Sequence, residues 1–108
     1  MSHYRLDVYV PESHQESLKE ALFAAGAGRL GEYDRCCFQM RGTGQFRPSD
    51  NAKPFLGEGG RLEQVPEWKL EMIVAGEALQ AVLQALKLAH PYETPAFQYW
   101  QVGISRSE

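Results

Sequence analysis

The residues best equipped for chemistry lie together in one short stretch, His90-Pro91-Tyr92-Glu93-Thr94-Pro95. Pro91 and Pro95 each fix a φ angle and hold the preceding residue extended, so the side chains between them sit on a stiff corner. His90 with Glu93 could ligate a divalent metal ion, joined by Asp7 or Glu71 from a neighbouring strand, because imidazole plus carboxylate suits zinc or copper. One histidine is a thin basis for such a site. A histidine at a helix C-terminus also interacts well with the dipole and the terminal carbonyls, and that structural use weighs more. Tyr92 is placed either to pack or to line a ligand site.

A second set, Thr43, Gln45, Phe46 and Arg47 with Lys53, lies in the glycine-rich segment 42–60. A connection of that length in a small domain is usually functional or disordered, and Phe46, Phe55 and Leu56 argue against disorder. The polar members could meet an anionic ligand or a protein partner, while the apolar ones could instead brace an oligomer. The glycines do not form a phosphate loop, since no Gly-Lys-Ser/Thr ending opens a helix. Cys37 lacks the neighbouring base that a nucleophile needs, with only Arg35 expected on its face. Glu67 and Glu71 share a strand face and read as solvated carboxylates. No residue qualifies as catalytic.

The elements that must position these groups follow from periodicity. Residues 3–10 alternate, with Tyr4, Leu6, Val8 and Val10 on one face and His3, Arg5, Asp7 and Tyr9 on the other, as in a half-buried strand. Ser13 and Glu16 have capping-box spacing for a helix over 13–25 with Leu18, Ala21, Leu22 and Ala25 as its stripe. A second strand is expected at 32–41, with Cys36, Phe38 and Met40 on one face and Tyr33, Arg35, Cys37 and Gln39 on the other. A third runs over 61–75, where Trp68, Leu70, Met72 and Val74 alternate with Glu67, Lys69, Glu71 and Ile73, and Pro66 points to an edge or bulge. The stripe Leu79, Val82, Leu83 and Leu86 marks a helix at 77–89. A last strand spans 96–102, and 103–108 reads as a frayed tail.

This β-α-β-β-α-β order predicts one α+β domain over residues 1–108, a ferredoxin-like sandwich: a four-stranded antiparallel sheet with both helices on one face. The other face is left bare. Tyr9, Tyr33, Ile73, Tyr99 and Phe97 are expected to make it partly aromatic, which predicts packing against another copy of the chain.

The 108 residues suffice for one core, and the formal net charge of −3 disfavours a sequence-independent nucleic-acid binder. No apolar run approaches the about 20 residues of a spanning helix, and the N-terminus has no signal pattern, so a cytoplasmic protein is expected. Adjacent Cys36 and Cys37 cannot pair without a strained backbone and show no metal-ligand spacing.

Three stretches together carry a family resemblance: Gly26-Ala27-Gly28-Arg29-Leu30-Gly31-Glu32-Tyr33-Asp34, then Gly42-Thr43-Gly44-Gln45-Phe46-Arg47-Pro48 with Pro54-Phe55-Leu56-Gly57, and His90-Pro91-Tyr92-Glu93-Thr94-Pro95-Ala96. In this order and spacing the chain resembles the stand-alone YqfO-type proteins, themselves similar to the domain inserted in longer Nif-three-like proteins. The last stretch alone also resembles CutA, a trimeric PII-like protein linked to divalent-cation tolerance. The resemblance implies a self-associating binding or regulatory domain, a homotrimer, with a small ligand or protein as partner and a divalent metal as the one conceivable cofactor. The longer relatives hold a dinuclear metal site in a separate domain whose ligands this sequence lacks. The alternative is a metal-dependent hydrolase, or an accessory subunit of a Nif-three-like metal enzyme.

Overall fold

A computed structural model describes residues 2–105. Strand β1 (His3–Pro11) leads through a 3-10 turn into helix α1 (Gln15–Ala25). Strands β2 (Phe38–Phe46) and β3 (Glu63–Ala75) follow, then a second 3-10 turn, helix α2 (Leu79–Ala89) and strand β4 (Phe97–Val102). All three strand pairings are antiparallel and the order across the sheet is β2-β3-β1-β4. This is the ferredoxin-like sandwich, its two central strands belonging to different βαβ units.

The core lies between helices and sheet as the alternation requires. Leu6, Val8 and Val10 of β1 and Leu70, Met72 and Val74 of β3 are buried against Leu18, Leu22 and Phe23 of α1 and Val82, Leu83 and Leu86 of α2. Each fully buried leucine or valine adds about 1.5–3 kcal/mol relative to exposure. Ser13 and Glu16 do not form the expected capping box. The Ser13 hydroxyl meets His14 Nδ1 at 2.8 Å, and Glu16 pairs with Lys19 at 2.9 Å. The 3-10 turn over Glu12–His14 moves the α-helix start beyond Ser13.

β2 departs most from expectation. Residues 29–36 are spent in a loop closed by reciprocal main-chain bonds between Leu30 and Tyr33, and the strand begins only at Phe38. Gly28 anchors that loop, donating to Ile73 C=O and accepting from Cys36 N–H, each at 2.8 Å. The faces of β2 are also the reverse of those expected. Phe38 lies opposite Glu71 and Met40 opposite Lys69, on the bare side, whereas Gln39 and Arg41 lie opposite Leu70 and Trp68 on the helix side. Cys37, not Cys36, packs on the core, and burial pushes its thiol pKa up, which makes it a poor nucleophile. Arg35 turns away to Glu20 and the Phe23 ring.

The bare face carries Tyr9 and Ile73 as expected, opposite Lys69 and Arg5, but its centre is charged rather than aromatic. Arg5, Asp7, Lys69 and Glu71 form a continuous charge network at its centre. Arg5 contacts Asp7 at 2.7 Å and Glu71 at 2.6 Å, and Lys69 contacts Glu71 at 2.9 Å and Asp7 at 3.6 Å. Phe97 and Tyr99 pair with Val8 and Leu6 on the helix side, and Tyr33 lies outside the sheet. Apolar surface remains at the flanks, in Phe38 and Met40 on β2 and in Trp100 on β4, whose ring lies 5.6 Å from the Arg5 guanidinium. Residues 103–105 carry no regular structure; the rest of the expected tail, 106–108, lies outside the described residues.

At Gly28, φ is +78° and an added Cβ would stand 2.8 Å from Cys36 O. The Gly28→Ala variant is therefore expected to lose about 1–3 kcal/mol. Gly42→Ala, at a site with nothing within 4 Å of the added carbon, should stay near wild type. Urea midpoints of the two variants check this.

Candidate functional site

β3 is longer than the strand beside it. Its pairing with β1 ends at Pro11 opposite Glu67, so residues 63–66 pair only with 43–46 of β2. Pro66 is thus tolerated: it occupies an edge position just beyond the reach of β1. The segment expected as a loop from residue 42 is a strand as far as Phe46, and the true connection is 47–62. It folds back on itself through Gly60 N–H to Pro48 C=O at 2.6 Å, with Pro48 buried.

The proline-flanked corner completes the other side. α2 closes with His90 N–H on Leu86 C=O at 2.9 Å, and the chain then turns away. His90 is 6% exposed. Its Nδ1 accepts the Tyr92 N–H at 3.1 Å, which places the ring proton on Nε2, 2.6 Å from Tyr9 C=O. Tyr9 N–H in turn donates to Ala96 C=O at 3.1 Å. The corner thereby satisfies both main-chain groups of Tyr9 where the pairing of β1 with β4 has run out.

This clasp aims Tyr92 across the end of the sheet. The phenol donates to Glu67 Oε2 at 2.8 Å, and the ring sits 5.8 Å from Phe46 and 6.3 Å from Phe55. Burial, then the bond to Glu67 and its charge, hold the phenol pKa above the usual tyrosine value, so the group stays a donor. Phe55 is seated edge-on against His14, and Glu93 Oε1 accepts the Lys53 N–H at 2.9 Å. A Cβ at Gly44 would collide with the Glu67 carboxylate where it now stands, so a side chain there would have to displace that carboxylate.

Together these groups enclose a pocket of about 310 Å³ lined by Gln45, Phe46, Arg47, Pro48, Ala52, Pro54, Phe55, Leu56, Glu67, Tyr92, Glu93, Thr94 and Ala96. Of the residues singled out from the sequence, Gln45, Phe46, Arg47, Tyr92 and Glu93 meet in it. Thr43 does not; it lies opposite Pro66 in the ribbon. His90 stands behind the pocket as a brace. Glu67 was missed, since nothing in its charged, alternating neighbourhood shows that Tyr92 reaches it.

For His90 to bind a cation, Nδ1 would have to give up the Tyr92 amide. Asp7 and Glu71 cannot join it, being committed to Arg5 and Lys69 on the bare face. Among the described residues, no three His, Cys, Asp or Glu side chains converge as a metal site requires. No helix among the described residues is long and apolar enough to cross a membrane.

The chain matches no family model. It is 45% identical to the GTP cyclohydrolase 1 type 2 homolog of Bacillus subtilis over 104 residues, 96% of this chain but 28% of that protein. The crystal structure of a Bacillus cereus protein related to NIF3 superposes on 94% of this chain and 26% of its own, with a TM-score of 0.78 and 37% identity. The periplasmic divalent cation tolerance protein CutA from Archaeoglobus fulgidus matches 98% of this chain and 87% of its own, with a TM-score of 0.63 and 18% identity, a likeness of fold. The chain spans about a quarter of the length of the curated relatives it matches.

Burial holds the His90 pKa below its ordinary 6.5, against the pull of the Tyr9 bond and Glu67. Protonating Nδ1 would also set two donors face to face. The unfolded chain therefore binds this proton first: the stabilisation is fully present above 6.5 and is lost as the pH falls through the lower folded value. Thermal midpoints should decline on acidification from that point, and the decline should shrink in His90→Asn, whose amide can still accept from Tyr92.

Proposed function

This chain belongs to the YqfO family, matching about a quarter of the length of its longer relatives, and from that premise we propose that it is a non-enzymatic, self-associating binding domain. The pocket carries this reading. Two stretches about forty residues apart in the chain, as Lys53 and Glu93 are, converge there on a cavity walled by aromatic rings and holding unspent carboxylates and a guanidinium. Such a mostly apolar cleft with a few convergent polar groups is the usual form of a small-ligand site. It lacks a nucleophile paired with a base, so its use is to hold a ligand. Gln45, Phe46, Arg47 and Tyr92 contact the ligand, with Thr43 on the ribbon beside it.

The sheet and its edges support self-association. Phe38, Met40 and Trp100 expose apolar surface around the charge network of the bare face, and β2 and β4 leave their outer edges unpaired. A homotrimer is the assembly to expect from a CutA-like, PII-like architecture. The protein works in the cytoplasm, and no nucleic acid takes part.

A second reading makes the domain an accessory to a metal-dependent hydrolase. It rests on the name of the longer relatives, GTP cyclohydrolase 1 type 2 homolog, and assigns the chemistry to the parts of those proteins this chain does not match. A divalent ion at His90 and Glu93 belongs to neither reading, because His90 is already committed to the main chain.

Light scattering at micromolar concentration is expected to give about three times the 12.2 kDa of one chain. A clean monomer mass would overturn the self-association. Trp100→Glu and Met40→Glu should each lower the mass without altering the circular dichroism spectrum.

A further inference from the structure

The pocket's lining points to the kind of molecule it takes. Phe46, Phe55 and Tyr92 present three aromatic rings to one cavity. The face of an aromatic ring is electrically negative and attracts a cation placed over it. Two carboxylates share the lining. Glu67 receives only the Tyr92 hydroxyl and Glu93 only the Lys53 amide, so among the described residues each is oriented by a neutral donor and keeps most of its acceptor capacity. Neither forms an ion pair among the described residues, although Arg47 lines the same cavity and has none either. Arg47 is exposed, so a ligand's cationic end can lie among the rings while its other end reaches toward the guanidinium.

Resting on the reading of this pocket as a ligand site, we propose that it binds an organic cation: an ammonium or guanidinium on an apolar or aromatic body, free or carried by a side chain. The rings supply the negative faces and the apolar contact. Glu67 and Glu93 supply the charge-assisted hydrogen bonds. The volume of about 310 Å³ accommodates a body the size of one substituted ring.

Three probes with one shape separate the possibilities: phenethylammonium, the neutral phenethyl alcohol and the anionic phenylacetate. Each is titrated into the full chain while the amide resonances of Tyr92, Glu93 and Thr94 are followed. The ammonium is expected to bind about tenfold more tightly than the alcohol, with phenylacetate weakest. Glu67→Gln keeps an acceptor for the Tyr92 hydroxyl and should remove most of that advantage while leaving the alcohol unaffected. Phe46→Ala should weaken all three, its folding checked by circular dichroism. Gain of affinity by a lysine- or arginine-containing tripeptide over its norleucine counterpart would assign the cation to a side chain; equal affinity would assign it to a free molecule. If the alcohol or phenylacetate binds as well as the ammonium and Phe46→Ala weakens it, the cation proposal fails and the pocket stands. If none of the three moves these resonances, the pocket reading fails as well.

Discussion

A mismatch in strand length governs this molecule. β3 has thirteen residues and β1 nine, so the β2–β3 ribbon continues past the point where a third strand could flank it. A two-stranded ribbon is marginal in water and needs apolar cover. The cover here comes from the chain's own connections, the 47–62 segment folding back from one side and the His90–Ala96 corner reaching in from the other. The molecule measures 54 × 24 × 22 Å, and no residue lining the cavity belongs to the buried core.

The separation of core from cavity makes the site's chemistry intelligible. In the sandwich, leucines and valines carry the stability and little polar chemistry is possible. Under the overhang, aromatic and other apolar side chains form the walls and a few polar groups converge among them. His90 serves both regions. It closes α2 and satisfies Tyr9, and through Nδ1 it sets the direction of Tyr92. The residue that looks most reactive in the sequence is therefore spent on architecture, and through it Tyr92 is aimed at Glu67.

How much of this was legible in the sequence depended on whether a segment has one buried side. β1 and β3 alternate cleanly because helices cover one of their faces, and α2 shows its stripe for the same reason. β2 was displaced because Gly42, Thr43 and Gly44 look like a turn, whereas they form an edge strand in which Gly44 leaves room for the Glu67 carboxylate. β4 has aromatic residues on both faces, so alternation alone could not say that Phe97 and Tyr99 face inward and Trp100 outward. At the site, the two stretches that build the pocket were recognisable as unusual. Their meeting was not, because the contacts join Lys53 to Glu93 and Glu67 to Tyr92 across long loops of chain. Glu67 resembled any solvated strand carboxylate, and the hydrogen bond that distinguishes it is a tertiary fact.

The charges at the middle of the bare face have a consequence for how molecules find one another. Arg5 and Lys69 cancel Asp7 and Glu71 within a few ångströms, and Asp7 is already 4% exposed without any companion. The quartet is net neutral and so projects little net field into the solvent, although the Arg5 and Lys69 side chains stay 35% and 27% exposed. A molecule approaching this side would be unguided at a distance and would arrive at the rate of ordinary diffusion and rotation. For a molecule docking here, fit at contact with Phe38, Met40 and Trp100 would then decide what stays.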